Sequence, residues 1–105
     1  MSDLNFTLCS IPMLLSRNKS ADYQRQIIER YTVLMGFLWS RELIRLDPFD
    51  ESGGLKLDLI IKKSDATSAC LELFKKAIPA WHNFVDKGGE VENVSRLEIA
   101  LTKIY

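Results

Sequence analysis

The spacing of apolar residues changes twice along this chain, and no other feature constrains its fold as strongly. Across residues 20–43 apolar side chains recur every three to four positions, which is the spacing of one face of an α-helix. Across residues 55–62 they alternate with polar side chains, which is typical of a half-buried strand. Helical spacing returns from Cys70 onward. The sequence therefore predicts an α+β fold, mainly α-helical, with a β-hairpin or small sheet at about residues 43–62.

The first of these segments predicts one hydrophobic central helix. Ser20 is a suitable N-cap, and Asp22 lies in the first turn, where a carboxylate complements the helix dipole. From Val33 to Trp39 the segment is apolar on nearly every side, and a helix without a polar face is normally buried. We therefore expect the chain from Ser20 to about Leu43 to form a helix packed on several sides.

The residues before Ser20 leave two alternatives open. Asn5 to Cys9 fits either a short strand or the first turn of a helix. Pro12 is tolerated only at an early helical position, so we expect a short helix from Ser10 to Arg17.

The C-terminal part of the chain predicts two to three helices. Apolar side chains keep the helical period across residues 70–85, and Pro79 must kink or split this segment because it lacks a backbone N–H. The glycines at 88–89 then end it, as glycine commonly does at a helix C-terminus. Ser95 and Glu98 fit the S-x-x-E capping box of a final helix.

Composition and charge describe an ordinary globular protein. The 105 residues are 47% hydrophobic and 27% charged, and fourteen basic residues balance fourteen acidic ones. A length of this order fits one domain, so we expect residues 1–105 to form a single domain. A formal net charge of zero argues against a protein that holds nucleic acid by neutralising phosphates, because such domains carry a basic excess.

The sequence predicts a cytoplasmic protein with reduced thiols. Cys9 and Cys70 show neither a CxxC motif nor metal-ligand spacing, and buried free thiols are typical of a reducing cytosol. Asp3 stands where a signal peptide needs a basic region. The longest uncharged apolar stretch, Tyr31 to Ser40, falls short of the roughly 20 residues that span a bilayer. We therefore expect no membrane partner.

Candidate catalytic and metal-binding groups are few. His82, the one histidine, lies four residues before Asp86 and could pair with it on one helix face, but no nucleophile motif accompanies them. The carboxylates at 47–51 lack the ligand spacing and the sixth-position glycine of a calcium loop. Neither glycine pair has the context of a phosphate-binding loop. We therefore predict no enzymatic activity, no metal site, no cofactor and no small-molecule substrate.

One segment concentrates negative charge. In residues 47–58, which we call the acidic turn, a single lysine stands against four carboxylates, those of Asp47, Asp50, Glu51 and Asp58. A turn between a helix and a strand lies on the surface, where such a cluster raises the encounter rate with a basic partner. We predict that these four residues bind a partner. Further candidates are Trp81, which follows the break at Pro79, and the carboxylates of Glu90 and Glu92.

A helix, a hairpin and further helices are also the elements of a winged-helix domain, in which a recognition helix reads DNA. The segment Ala66–Ala77 after the expected hairpin is acidic and apolar apart from Lys75 and Lys76. The final helix offers only Arg96 and Lys103. A small DNA-binding regulator is therefore the alternative function, and nucleic acid is not the partner that we expect first.

Packing and capping residues dominate the stretch from Ser64 to Tyr105, and they include Leu71, Leu73, Phe74, Pro79, Trp81, Phe84, the run Asp86-Lys87-Gly88-Gly89, Asn93, Ser95, Leu97, Glu98 and Leu101. In these residues the stretch resembles the tail of small bacterial immunity proteins, which are encoded beside contact-dependent growth inhibition toxins and related polymorphic toxins. The resemblance covers about 40 residues and includes no catalytic fingerprint. Immunity proteins share a role rather than a fold, so no binding residue is carried over from them.

The resemblance implies a protein that remains in the cytoplasm of the producing cell. It would bind the cognate toxin C-terminal domain tightly, block the active site or a substrate surface of that domain, and need no cofactor. The toxin domain in such systems is often a nuclease, and an acidic turn suits the basic cleft of a nuclease.

Overall fold

The computed structural model describes residues 7–104, so Asp3 and the start of the predicted Asn5–Cys9 segment lie outside the described residues. The elements follow in the order β1 (Thr7–Ser10), α1 (Ile11–Ser16), α2 (Ala21–Ser40), β2 (Ile60–Lys62), a 3₁₀ turn (Lys63–Asp65), α3 (Ser68–Glu72), a π-helical turn (Leu73–Ala77), α4 (Ile78–Asp86) and α5 (Ser95–Ile104). This arrangement of helices around one small antiparallel sheet confirms the predicted α+β, mainly α-helical class.

The sheet joins the beginning of the described chain to its middle. β1 and β2 pair antiparallel with Cys9 opposite Ile61, and the register shifts between Thr7 and Cys9 because a bulge lies there. A small sheet is therefore present at the end of the segment 43–62. However, β2 pairs with β1, which precedes the central helix, and not with a strand next to it in a hairpin.

Residues 55–59 do not lengthen the strand, although their apolar side chains alternate with polar ones. The amide of Leu59 donates to the carbonyl of Lys56 at 3.2 Å, so a turn precedes β2. Leu55 and Leu59 are buried, but Leu57 is 50% exposed. An extended strand would place all three leucines on one face, whereas the turn moves the middle one outward.

α2 is the central helix, and it ends in a left-handed residue. Its buried side chains lie in the second half, at Leu34, Met35, Phe37 and Leu38. The helix ends at Ser40 rather than near Leu43, because Glu42 adopts a φ of 59° and turns the chain away. Trp39 lies at this end and is 39% exposed, so the apolar segment 33–39, which the sequence predicts to be packed on several sides, leaves one of its large side chains partly in solvent.

From α3 to α4 the chain stays helical, with a change of hydrogen bonding in the middle. Thr67 Oγ1 accepts a hydrogen bond from the amide of Cys70 at 3.2 Å and caps α3. In the π-helical turn the amide of Ile78 donates to the carbonyl of Leu73, five residues back. Pro79 follows with no N–H to donate. The predicted split therefore occurs as a wider helical turn and not as a break in the chain path.

α5 packs against the helices before it but begins differently from the prediction. Asn93 Oδ1 accepts from the amide of Ser95 at 3.1 Å. Glu98 pairs with Arg41 at 3.1 Å instead of closing a capping box with Ser95. One cluster of buried apolar residues includes members of both strands and of every α-helix named above. Among residues 7–104, no helix is both long enough and apolar enough to cross a membrane.

Candidate functional site

The acidic turn is a closed loop that backbone hydrogen bonds hold in shape. The amide of Asp50 donates to the carbonyl of Gly54 at 2.8 Å, and the amide of Lys56 donates to the carbonyl of Pro48 at 2.9 Å. Pro48 and Leu55 are buried, so both sides of the loop are anchored in the core. The loop therefore presents its polar residues to solvent from a fixed base, as the sequence predicted for a surface turn.

Two of its carboxylates also build the loop. Asp47 Oδ1 accepts from the amide of Phe49 at 2.9 Å. Asp50 Oδ1 accepts from the amide of Ser52 at 2.9 Å, from Ser52 Oγ at 2.6 Å and from the amide of Gly54 at 3.1 Å. These bonds, that of the Ser52 hydroxyl foremost, lower the pKa of Asp50, so the carboxylate stays ionised while it shapes the loop.

The other two carboxylates, those of Glu51 and Asp58, are exposed. None of the four acids of the loop forms an ion pair with any residue that the structure describes, and Leu57 lies exposed beside Asp58. The acidic turn therefore offers an apolar side chain near carboxylates that form no ion pair within residues 7–104. This combination suits an interface with a basic rim and an apolar centre.

Trp81 requires a correction, because its side chain offers no surface to a partner. The indole is fully buried, and its Nε1 donates to the carbonyl of Asn93 at 3.0 Å. The break at Pro79 that made Trp81 a candidate does not form, because the π-helical turn continues directly into α4. Trp81 is a core residue that fixes the connection to α5, and the partly exposed tryptophan is Trp39.

Glu90 and Glu92 lie exposed in the connection between α4 and α5. Within the part of the chain that the structure describes, no hydrogen bond or ion pair joins them to the acidic turn. They remain a separate predicted contact region.

A cleft of about 370 Å³ lies where β1, α1, α2 and α4 meet, and no pattern in the sequence predicts it. Within it the Tyr31 hydroxyl lies 3.3 Å from His82 Nε2, and the two ring centroids are 5.4 Å apart. We call it the Tyr31–His82 cleft. The predicted pairing of His82 with Asp86 does not form, because Asp86 pairs instead with Arg30 at 2.8 Å.

Burial and charge set the protonation of this pair. Burial raises the pKa of Tyr31 to about 12, although the nearby charges of Arg30 and Arg17 act in the opposite direction. Burial also lowers the pKa of His82, and the charge of Arg30 acts in the same direction. His82 is therefore neutral at pH 7, and both rings provide uncharged hydrogen-bonding groups.

The pairing could not be read from the sequence, because Tyr31 and His82 are 51 positions apart. Tyr31 belongs to the apolar period of α2, whereas His82 lies outside the apolar period of residues 70–85, and neither period says which helices meet. The bulge in β1 and the π-helical turn are the backbone signals of this region. Both are irregularities that occur often beside functional sites.

Among residues 7–104, no group of three or more histidine, cysteine, aspartate or glutamate side chains is placed to hold a metal ion. No protein-family model matches this chain, and no curated protein or solved structure is significantly similar to it.

Proposed function

We propose that this chain is an immunity protein that binds a cognate bacterial toxin domain and blocks the active site or substrate surface of that domain. A nuclease is the first candidate for the toxin domain. The single observation that supports this most is the fixed acidic turn with its unpaired carboxylates. We place the protein in the cytoplasm of the producing cell. The partner is a protein, and neither a cofactor nor a membrane is required.

Rigidity of the acidic turn favours tight binding. A loop that is already ordered loses little conformational freedom when a partner docks, so less of the interaction free energy is spent on ordering it. The hydrogen bonds of Asp47 and Asp50 order the loop before any partner is present. The exposed carboxylates then attract a basic cleft over distances of about 8–10 Å at moderate salt.

The nucleophilic side chains favour a binding role over an enzymatic one. Burial raises the pKa of both Cys9 and Cys70 to about 12, which keeps each thiol protonated and unreactive at neutral pH. His82 shares its Nε2 with a tyrosine hydroxyl rather than with a serine or a thiol. These groups therefore lack the activated nucleophile that covalent catalysis needs.

The alternative, a winged-helix DNA-binding regulator, has weaker support. The helical segment that follows β2 would be its recognition element, and Lys75 in that segment already pairs with Glu72 at 3.1 Å. The balanced net charge also provides no general attraction for a phosphate backbone.

The test uses the toxin domain that this proposal expects to be encoded next to the gene, and variants that remove charge without changing the shape of the loop. Asp47→Asn, Asp50→Asn and Glu51→Gln are combined, because asparagine keeps the oxygen that accepts the loop hydrogen bonds. We expect the association rate at low salt to fall at least about tenfold, and the difference from the unmodified protein to shrink at high salt. Stopped-flow or surface-plasmon kinetics at two salt concentrations measure both effects.

A matched control removes three carboxylates elsewhere, with Asp22→Asn, Glu29→Gln and Glu72→Gln, and should leave the association rate within about twofold. Equal loss in both triple variants would assign the effect to net charge alone. Failure of the unmodified protein to bind the adjacent toxin domain, or to restore growth of cells that express it, rejects the proposed function itself.

A further inference from the structure

The Tyr31–His82 cleft has an aliphatic wall. Leu14 and Ile78 line it, Met13 lies at its mouth with 60% exposure, and Phe74 from the π-helical turn closes one side. Its volume of about 370 Å³ lies in the range in which proteins hold small molecules. Methionine adapts its shape to irregular apolar surfaces, so a residue like Met13 can follow a flexible chain.

The charge at this cleft is positive. Arg17 lines the cleft, and its guanidinium makes no hydrogen bond or ion pair with any residue between positions 7 and 104. None of the described residues that line the cleft carries a carboxylate. The positive charges of Arg17 and Arg30 both act to lower the pKa of Tyr31, and the carboxylate of Asp86 is paired with Arg30.

The unpaired guanidinium of Arg17 lines the same cleft as the Tyr31 hydroxyl and the His82 ring, and it suits a carboxylate because charge-assisted hydrogen bonds to arginine are strong and directional. A small hydrophilic anion would leave the apolar wall of the cleft without a partner, so an anion with a hydrocarbon chain fits better. We propose that the Tyr31–His82 cleft binds a medium-chain aliphatic carboxylate, with the carboxylate at Arg17 and the hydrocarbon chain along Leu14 and Ile78.

This site is independent of the proposed function, since it shares no residue with the acidic turn. The ligand is held without being transformed. Its presence would add binding free energy to the folded state alone and so raise the stability of the protein.

The experiment titrates the folded full-length chain with octanoate and, separately, with octan-1-ol, which has the same chain length and no charge. We expect saturable shifts of backbone amide resonances around Tyr31 and His82, with a Kd for octanoate on the order of 1 mM. Octan-1-ol should bind at least about tenfold more weakly, because it cannot pair with the guanidinium.

Two charge-matched variants locate the contact. Arg17→Gln should weaken octanoate binding about tenfold, whereas Arg25→Gln, an exposed arginine of α2 that pairs with Asp22, should leave it unchanged. Met13→Gln, at an exposed position where folding is tolerant, should weaken octanoate and octan-1-ol alike. The proposal is overturned if octanoate gives no saturable shifts, if octan-1-ol binds as tightly, or if the two arginine variants behave alike.

Discussion

At the scale of single residues, His82 shows how tertiary surroundings change a side chain that the sequence leaves ordinary. The Tyr31 hydroxyl shares a hydrogen bond with Nε2 of His82, and Trp81 packs against the His82 ring with centroids 5.2 Å apart. The Arg30–Asp86 ion pair lies close by. Burial and the charge of Arg30 lower its pKa, and the opposing charge of Asp86 does not reverse the shift.

This shift predicts a loss of stability in mild acid. The folded state binds the His82 proton less tightly than the unfolded chain. The contribution of neutral His82 to the free energy of unfolding is therefore complete above the unfolded pKa of about 6.5, and it is lost as the pH falls below that value. The free energy of unfolding should therefore decrease from pH 7 to pH 5, with a slope of at most about 1.4 kcal/mol per pH unit from this one group.

His82→Gln is the variant that isolates this effect, because glutamine does not titrate. Urea unfolding at several pH values should show a flatter profile for the variant than for the unmodified protein between pH 7 and pH 5. Parallel profiles would mean that other groups cause any acid sensitivity in this range.

At the scale of helices, α2 and α4 end in the same way with different residues. At the end of α4 the amide of Gly89 donates to the carbonyl of Phe84 at 3.0 Å, and Gly88 has a φ of 101°. At the end of α2 the amide of Leu43 donates to the carbonyl of Leu38 at 2.9 Å, but the left-handed residue is Glu42. Both ends are Schellman motifs, in which glycine is preferred because it has no Cβ to strain.

Glu42→Gly should therefore stabilise the protein. Relief of left-handed strain is worth about 1–2 kcal/mol, and the greater freedom of glycine in the unfolded chain offsets part of it. We expect a net gain of about 0.5–1 kcal/mol in the free energy of unfolding, measured by chemical denaturation.

Gly88→Ala is the matched reverse change, and it should cost about 1 kcal/mol. A Cβ at Gly88 would meet no atom within 4 Å, so the cost arises from backbone strain and not from a clash. If Glu42→Gly were destabilising while Gly88→Ala behaved as expected, an interaction of the Glu42 side chain would have to outweigh the strain.

At the scale of the whole molecule, a single apolar cluster connects both halves of the chain. It contains Cys9 and Leu34 from the first half and Leu73, Trp81 and Leu97 from the second. Because each half buries its apolar side chains against the other, neither has a complete core of its own.

This arrangement predicts one cooperative unfolding transition, as expected for the single domain inferred from length. Trp39→Phe removes the partly exposed tryptophan, so that fluorescence reports on the buried Trp81 alone. The fluorescence curve of this variant in denaturant should coincide with its far-ultraviolet circular dichroism curve. Two separated transitions would show that the chain contains two folding units.

Much of the fold was predictable because its causes are local. The helical period of α2, the cap oxygens of Ser20 and Thr67 and the glycine at the end of α4 each act over a few residues. The position of the acidic turn on the surface followed from its turn residues for the same reason. Its internal hydrogen bonds also match a known habit of aspartate, which accepts from amides about two positions on.

The tertiary structure decided which distant segments meet. β1 pairs with β2 and not with a strand next to it in sequence. Trp81 is buried, whereas Trp39 is partly exposed. Tyr31 contacts His82, and all these arrangements depend on residues far apart in sequence. Periodicity identifies the faces that must be buried, but many pairings of those faces satisfy it equally well. The helices and strands pair in the one arrangement that packs all of their apolar faces together, and this arrangement depends on the whole chain at once.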